Sequence, residues 1–323
     1  TSPGAPRVVS EAEVRALLPR LDVRNALRAL FQALGNAQAV QPPQSLTLFP
    51  QGAGDFITYL GVLSDAGVFG AKLSPYIVTP GRPVITAWTL LMSMATGEPL
   101  LLCDASLLTV ERTAGTTALA IDQLAPAWSR RLALIGSGAV AVAHLRHTLG
   151  LRDWQQVHVW SPGLAANATR RAQLEALDPH ITIRASRAAC VGGADVVMLC
   201  TSSATPVLAL DELTQPALVT SISTNAPQAH ELDPAALAGM AVYCDDRCTT
   251  PGTAGEMVLA AQRHGWSSAS VVGDLADLAH DRCARPDGRR HVFFRSVGLG
   301  LEDVAMAHAL YTQHGLGGRD DAI

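Results

Sequence analysis

No run of basic residues appears anywhere in this 323-residue chain; Lys and Arg number 24 against 28 Asp and Glu, for a net charge of −4. Nucleic acid is therefore not expected as a partner, because phosphate backbones are met by clustered cations. Apolar runs of membrane-spanning length are lacking too. The richest window, Ala188 to Cys200, is too short and carries Asp195, so no membrane partner is expected. The first residues, Thr1-Ser2-Pro3-Gly4-Ala5-Pro6, lack a cationic-then-apolar leader pattern and read as a flexible lead-in. None of the six cysteines forms a C-x-x-C pair, and Cys244 and Cys248 have no second ligand pair to complete a zinc site. Reduced cysteines of a cytoplasmic protein without a metal are the expectation. Internal repeats and low-complexity tracts are missing as well.

What is present is a globular composition, 48% hydrophobic and 16% charged, too apolar for disorder. The length exceeds that of a typical single domain, which predicts two domains with sizeable cores. Ser10 with Glu13 three residues on reads as a helix start, and Val14, Leu17, Leu18 and Leu21 mark one apolar face. Leu27, Leu30, Phe31 and Leu34 mark a second helix. Four β-type runs follow, 45–49, 56–62, 70–78 and 84–91, punctuated by Gly and Pro, and predict an antiparallel or mixed sheet. A helix from Asp104 or Ser106 to Leu124 has a middle of small residues, Thr113 to Ala118, suited to close packing.

Beyond Pro126 short apolar strands alternate with helices: 132–135, 157–160, 181–183, 195–200, 218–222 and 241–244. Continuously apolar strands between helices predict a parallel, doubly wound sheet. Its first turn, Gly136-Ser137-Gly138-Ala139-Val140-Ala141, matches G-x-G-x-x-A between a strand and a helix. Gly136 permits the tight turn, Gly138 lets backbone approach a pyrophosphate, and the free N–H groups of the helix start face the anion. The strand after it ends Trp160-Ser161-Pro162-Gly163, without the carboxylate that would hold a ribose 2′-OH. NADP(H) is accordingly favoured over NAD(H), with Arg170 and Arg171 a little downstream on what reads as a solvated helix.

Two cations stand in apolar surroundings. Lys72 lies inside a strand, where it either reaches solvent or faces a cavity. Arg112 sits on the small-residue helix, and its guanidinium fork suits a carboxylate or a phosphate. Taken singly, either reads equally as a surface or salt-bridge residue, with Glu111 as an obvious neutraliser.

Together the motifs resemble the ornithine cyclodeaminase/mu-crystallin family in order and spacing. They are Gly70-Ala71-Lys72, Thr96-Gly97-Glu98-Pro99, Leu108-Thr109 with Arg112-Thr113-Ala114, and Ile135-Gly136-Ser137-Gly138. Further along come Thr201-Ser202 with Pro206-Val207, then Glu231-Leu232-Asp233, then Arg295-Ser296-Val297-Gly298 with Glu302-Asp303. The likeness runs from about Gly35 to His314. It implies an α/β fold, with a Rossmann-like doubly wound parallel-sheet domain over 119–295. An α+β substrate and dimerisation domain would be built from both chain ends, 1–118 with 296–323, and the active site would lie in the cleft between. A homodimer is expected. Lys72 and Arg112 would hold the carboxylate of a small amino or imino acid, with Val297 beside it. Arg112, Thr113, Gly136, Ser137, Gly138, Ala139, Val140, Ser161, Thr201, Ser202 and Ser296 would contact the cofactor.

Departures from the family pattern bear on the reaction. Where ornithine cyclodeaminases have an Asp acting on the substrate amine, this chain has Asn225, and an amide cannot accept a proton as a general base. Ala229 replaces a Lys, and Gln44 replaces a further substrate Arg. Reduction of a ketimine or imino acid, or the reverse amino-acid dehydrogenase reaction, is the reading that survives these changes, with Lys72 and Asn225 as catalytic candidates. Ornithine cyclodeamination to proline and ammonia is one alternative, with His230 or Asp233 replacing the Asp. A non-catalytic NADPH-dependent ligand-binding protein is another. His144 and His147 are expected at the surface or in packing, Asp245 and Asp246 facing solvent, and Asp303 at a helix start.

Overall fold

Residues 5–223, 228–313 and 315 are described by the structure, a computed structural model. The chain divides into two units, Thr1–Arg112 with Leu299–Ile323, and Thr113–Gly298.

The first unit opens with β1 (Arg7–Val9), α1 (Glu11–Leu17) and α2 (Val23–Gly35). The Ser10–Glu13 capping box is formed as expected, satisfying two orphan donors and stabilising the start by about 1 kcal/mol. Seven more strands follow: β2 (Ala39–Val40), β3 (Ser45–Leu48), β4 (Gly54–Leu63), β5 (Val68–Ile77), β6 (Val84–Ile85), β7 (Trp88–Ser93) and β8 (Pro99–Asp104). The sheet is mixed, in the order β1-β8-β7-β5-β4-β2, with β1 parallel to β8 and the other pairs antiparallel.

The single run read over 84–91 is two strands. β7 pairs with β5 as far as Leu73, and β6 resumes at Tyr76. Between them lies Pro75, which has no N–H to give the ladder.

One face of this sheet carries Tyr59, Lys72 and Leu91 and is packed by the C-terminal helix, Gly300–Gln313. The approach is close: a Cβ on Gly61 would stand 2.7 Å from Leu301 Cα, and one on Gly300 2.3 Å from the Leu60 carbonyl oxygen. On the other face Leu60, Phe69, Leu73 and Trp88 are all exposed.

The long helix α3 (Ser106–Leu124) leads into the second unit. There follow β9 (Arg131–Ile135), α4 (Ala139–Thr148), β10 (Gln156–Trp160), α5 (Ala168–Glu175), β11 (Ile181–Ile183), α6 (Arg187–Val191), β12 (Val196–Leu199) and β13 (Leu218–Ser221). The unit ends with β14 (Ala241–Cys244), α7 (Gly255–Arg263), β15 (Val271–Asp274), α8 (Leu275–Ala279) and β16 (Val292–Arg295), and the C-terminal helix is α9. Every pairing is parallel, in the order β11-β10-β9-β12-β13-β16-β14-β15. The order reverses at β9, whose successors lie on opposite sides, and open α/β sheets bind ligands at such a point. No helix among the described residues is long and apolar enough to cross a membrane.

Candidate active site

The switch point is where the glycine turn sits. Gly136 has φ +130°, and a Cβ there would stand 2.2 Å from the Cys200 carbonyl oxygen. Only glycine allows the turn to press this close to the end of β12. Gly138 caps α4 and has open space where a side chain would project. Ala141 behind it is fully buried, so the helix lies close against the sheet. In front of the turn is a cavity of about 740 Å³. Gly136, Ser137, Gly138, Ala139 and Val140 line it from one side, with Ser161, Thr201 and Ser202 also in its wall. Eight of the expected cofactor contacts are thus brought together. Thr113, Ser296 and Val297 do not line this cavity.

The residues fit a dinucleotide. The space before Gly138 admits a pyrophosphate against bare backbone, and the first N–H groups of α4 are orphan donors that favour an anion. No carboxylate is among the lining residues, consistent with the ending of β10.

Glu231 shapes this wall, a role the sequence signalled only through its place in the Glu231-Leu232-Asp233 motif. Its carboxylate is fully buried. Oε1 accepts from the Thr201 N–H at 2.7 Å and the Thr201 hydroxyl at 2.8 Å. Oε2 accepts from Ser221 Oγ at 2.6 Å and the Ser223 N–H at 3.0 Å. One carboxylate thereby ties the loop after β12 to the loop after β13. Asn225 and its neighbours 224–227 lie outside the described residues. His230 donates from Nδ1 to the Gln228 carbonyl at 2.7 Å, and Asp233 caps the 3-10 turn beginning at Pro234, as its position predicted.

Asp245 does not face solvent, contrary to expectation. It is fully buried, and its Oδ2 accepts from Ser296 Oγ at 3.1 Å and the N–H groups of Val297 at 2.8 Å and Gly298 at 3.1 Å. The reason is topological: β14 and β16 are adjacent, so Asp245, just past one, meets the turn past the other. Arg295 at the end of β16 is buried in an ion pair with Glu256, at 2.5 Å. His144 is buried in packing. Its Nδ1 faces the Val140 carbonyl at 2.7 Å, which places the proton there and leaves Nε2 to accept from Thr117 Oγ1 at 3.0 Å. Burial pushes its pKa down to about 4.

In the first unit Lys72 and Arg112 are brought together by Asp303. Lys72 is 1% exposed and Arg112 4%. Lys72 Nζ donates to Asp303 Oδ1 at 3.0 Å and to Thr109 Oγ1 at 3.3 Å, and lies 4.2 Å from the centre of the Tyr59 ring. Arg112 donates through Nε to Asp303 at 3.1 Å and through Nη1 to Glu302 at 3.1 Å. Asp303 is therefore the shared partner of both cations rather than a helix cap. Glu111, read as a neutraliser for a surface cluster, is buried, and Glu302 and Asp303 of α9 pair with Arg112. Burial lowers the Lys72 pKa, Asp303 opposes the shift and Arg112 adds to it, leaving it at about 8. Burial also works against the charge of Arg112, but Asp303 and Glu302 more than offset it, so its pKa stands above the ordinary value.

Comparison with known proteins shows the family. The model of the ornithine cyclodeaminase/mu-crystallin family matches residues 6–316. The NAD(P)H-dependent anabolic L-arginine dehydrogenase DauB of Pseudomonas aeruginosa is 57% identical over 310 residues, 96% of this chain and 98% of that protein. A Delta(1)-pyrroline-2-carboxylate reductase of Colwellia psychrerythraea is 28% identical over 235 residues, 71% of this chain and 73% of that one. The crystal structure of a "probable ornithine cyclodeaminase" from Bordetella pertussis superposes with a TM-score of 0.86 at 31% identity, covering 97% of this chain and 98% of that one.

Proposed function

This chain belongs to the ornithine cyclodeaminase/mu-crystallin family, and on that premise we propose that it reduces the 2-imino acid corresponding to L-arginine, forming the amino acid. The reaction class is that of an NAD(P)-dependent imine reductase or amino-acid dehydrogenase. The observation that carries an acid substrate is the pair of buried cations, Lys72 and Arg112, joined through Asp303. The guanidino side chain is supported by the 57% identity with an L-arginine dehydrogenase.

When bound, a reduced nicotinamide supplies the hydride that the imine carbon accepts. Arg112 uses Nε and Nη1 on its own carboxylates, so Nη2 is the nitrogen offered to a substrate carboxylate. Lys72 completes the clamp. With a pKa of about 8 it is charged at neutral pH yet able to release a proton, and it is the group that protonates the imine nitrogen. Fixing the carboxylate orients the neighbouring carbon, and orientation of this kind supplies much of the rate. Ornithine cyclisation is disfavoured, because Asn225 stands where a proton acceptor is required.

NADP(H) is the preferred cofactor in this reading, supported by a cavity wall without a carboxylate and by the ending Trp160-Ser161-Pro162 of β10. The assembly is a homodimer formed through the exposed apolar face of the first sheet, where Leu60, Phe69, Leu73 and Trp88 stand side by side. Light scattering on the purified protein checks the dimer.

The deciding experiment mixes the protein with NADPH, ammonium and 2-oxo-5-guanidinopentanoate and follows the near-ultraviolet absorbance of NADPH. Enzyme-dependent loss with L-arginine as product is expected. Loss with 1-pyrroline-2-carboxylate alone would move the substrate to cyclic ketimines.

A further inference from the structure

Arg170 is placed where the sequence did not put it. It lies in the first turn of α5, its backbone N–H held by the Asn167 side chain at 2.9 Å. From there the side chain crosses to the glycine turn. Nε donates to the Ser137 carbonyl at 2.7 Å, Nη2 donates to the same oxygen, and Nη1 donates to Gln173 Oε1 at 3.1 Å. The residue is half-buried, not a solvated helix side chain, and it grips the backbone of a residue that lines the cavity.

Its charge is what distinguishes it. Arg187 also borders the cavity, but it is neutralised by Glu212, with Nε at 2.8 Å from Oε2 and Nη2 at 3.0 Å from Oε1. Arg170 meets only a carbonyl and an amide oxygen, and among the described residues no carboxylate pairs with it. A guanidinium has five N–H groups, and the three bonds above leave two, one on each terminal nitrogen. An unneutralised fork beside the turn is a standing attraction for a phosphate at the cavity rim.

The path of the chain explains the placement. After β10 the segment Ser161-Pro162-Gly163 turns sharply, with Gly163 at φ +74°, and α5 starts within reach of Ser137. The end of β10 is where a dinucleotide's adenosine ribose is read, and an arginine near it accommodates a 2′-phosphate.

We propose that Arg170 is the residue that selects NADP(H), taking the 2′-phosphate with the fork that its bonds to Ser137 hold in place. This rests on the reading of the cavity as an NADP(H) site. The carboxylate usual at the end of β10 is replaced here by Ser161, so repulsion is removed and the attraction comes from α5, ten residues beyond Trp160.

The test is equilibrium binding on the full chain, by calorimetry, of NADPH, NADH and the fragment 2′-phosphoadenosine 5′-diphosphoribose. The unmodified protein is expected to bind NADPH more tightly than NADH. Arg170→Ala is expected to weaken NADPH and the phosphorylated fragment by roughly 10- to 100-fold, the loss typical of a charge-assisted contact, with NADH changed by no more than about 2-fold. Arg170→Gln keeps a donor for the Ser137 carbonyl and removes the charge, and gives the same answer should the alanine variant not fold. Equal weakening of NADPH and NADH would overturn the proposal, leaving Arg170 as a brace for the turn. NADPH binding untouched in either variant would overturn it while the cofactor reading stands. An unmodified protein that binds NADH at least as tightly as NADPH would remove both the preference and the proposal, and one that binds neither would remove the cofactor site itself.

Discussion

Lys72 Nζ stands 3.0 Å from the Asp303 carboxylate, joining the middle of β5 to the first turn of α9 across 231 residues of chain. The contact gives a buried partner to a lysine that has no acidic neighbour in sequence. Lys72→Met should reduce turnover by at least about 100-fold, the low end of what a positioned proton donor contributes. NADPH affinity measured by calorimetry should stay within about 2-fold. Loss of NADPH binding in this variant would show that the role assigned to Lys72 is wrong.

The same lysine sets a pH dependence. Its charged form is the one required, and burial, resisted by Asp303, brings its pKa to about 8. With substrate well below saturation, kcat/KM in the imine-reducing direction should fall about tenfold per pH unit above that value. The limb should disappear in any residual activity of Lys72→Met. A flat profile up to pH 10 would exclude Lys72 as the group that titrates.

His144 should appear in stability. Its ordinary pKa of 6.5 is depressed to about 4 in the folded chain, chiefly by burial. Between these values the unfolded chain takes up a proton and the folded chain does not, so stability is lost as pH falls from 6.5 toward 4. The share due to His144 is at most about 3 kcal/mol. Urea unfolding across this window should show a shallower decline for His144→Gln than for the unmodified protein. Parallel curves would mean that His144 carries no net linkage.

The two glycines of the turn should separate folding from binding. Gly136→Ala places a Cβ 2.2 Å from the Cys200 carbonyl oxygen at φ +130°, and should cost stability by roughly 2–4 kcal/mol. Gly138→Ala meets open space and should leave the melting temperature nearly unchanged. Its methyl group projects into the cavity, so NADPH affinity should fall by about tenfold or more, since a single good contact is worth that much. Thermal unfolding and cofactor titration on both variants check the contrast.

The motifs with local physical causes were legible directly. The capping box at Ser10, the β–turn–α context of Gly136 to Ala141 and the alternation of apolar strands with helices need only neighbours in sequence. Strands β1, β2, β8, β15 and β16 were not read from the sequence. Asn225 stood out because a residue type was wrong for its place, which is visible without coordinates.

Side-chain partnerships were not legible, because they join segments far apart in the chain. Nothing near Lys72 or Arg112 in sequence announces Asp303. Asp245 read as a solvated strand end until β14 and β16 were found side by side. Arg170 could not be told from a solvated helix residue until α5 was seen to start beside Ser137. By itself the sequence determined the family, the nicotinamide cofactor class and the glycine turn, since these depend on residue type and short spacing. Only the tertiary structure decided which charges are buried together. Electrostatic interaction depends on distance and burial, and folding sets both.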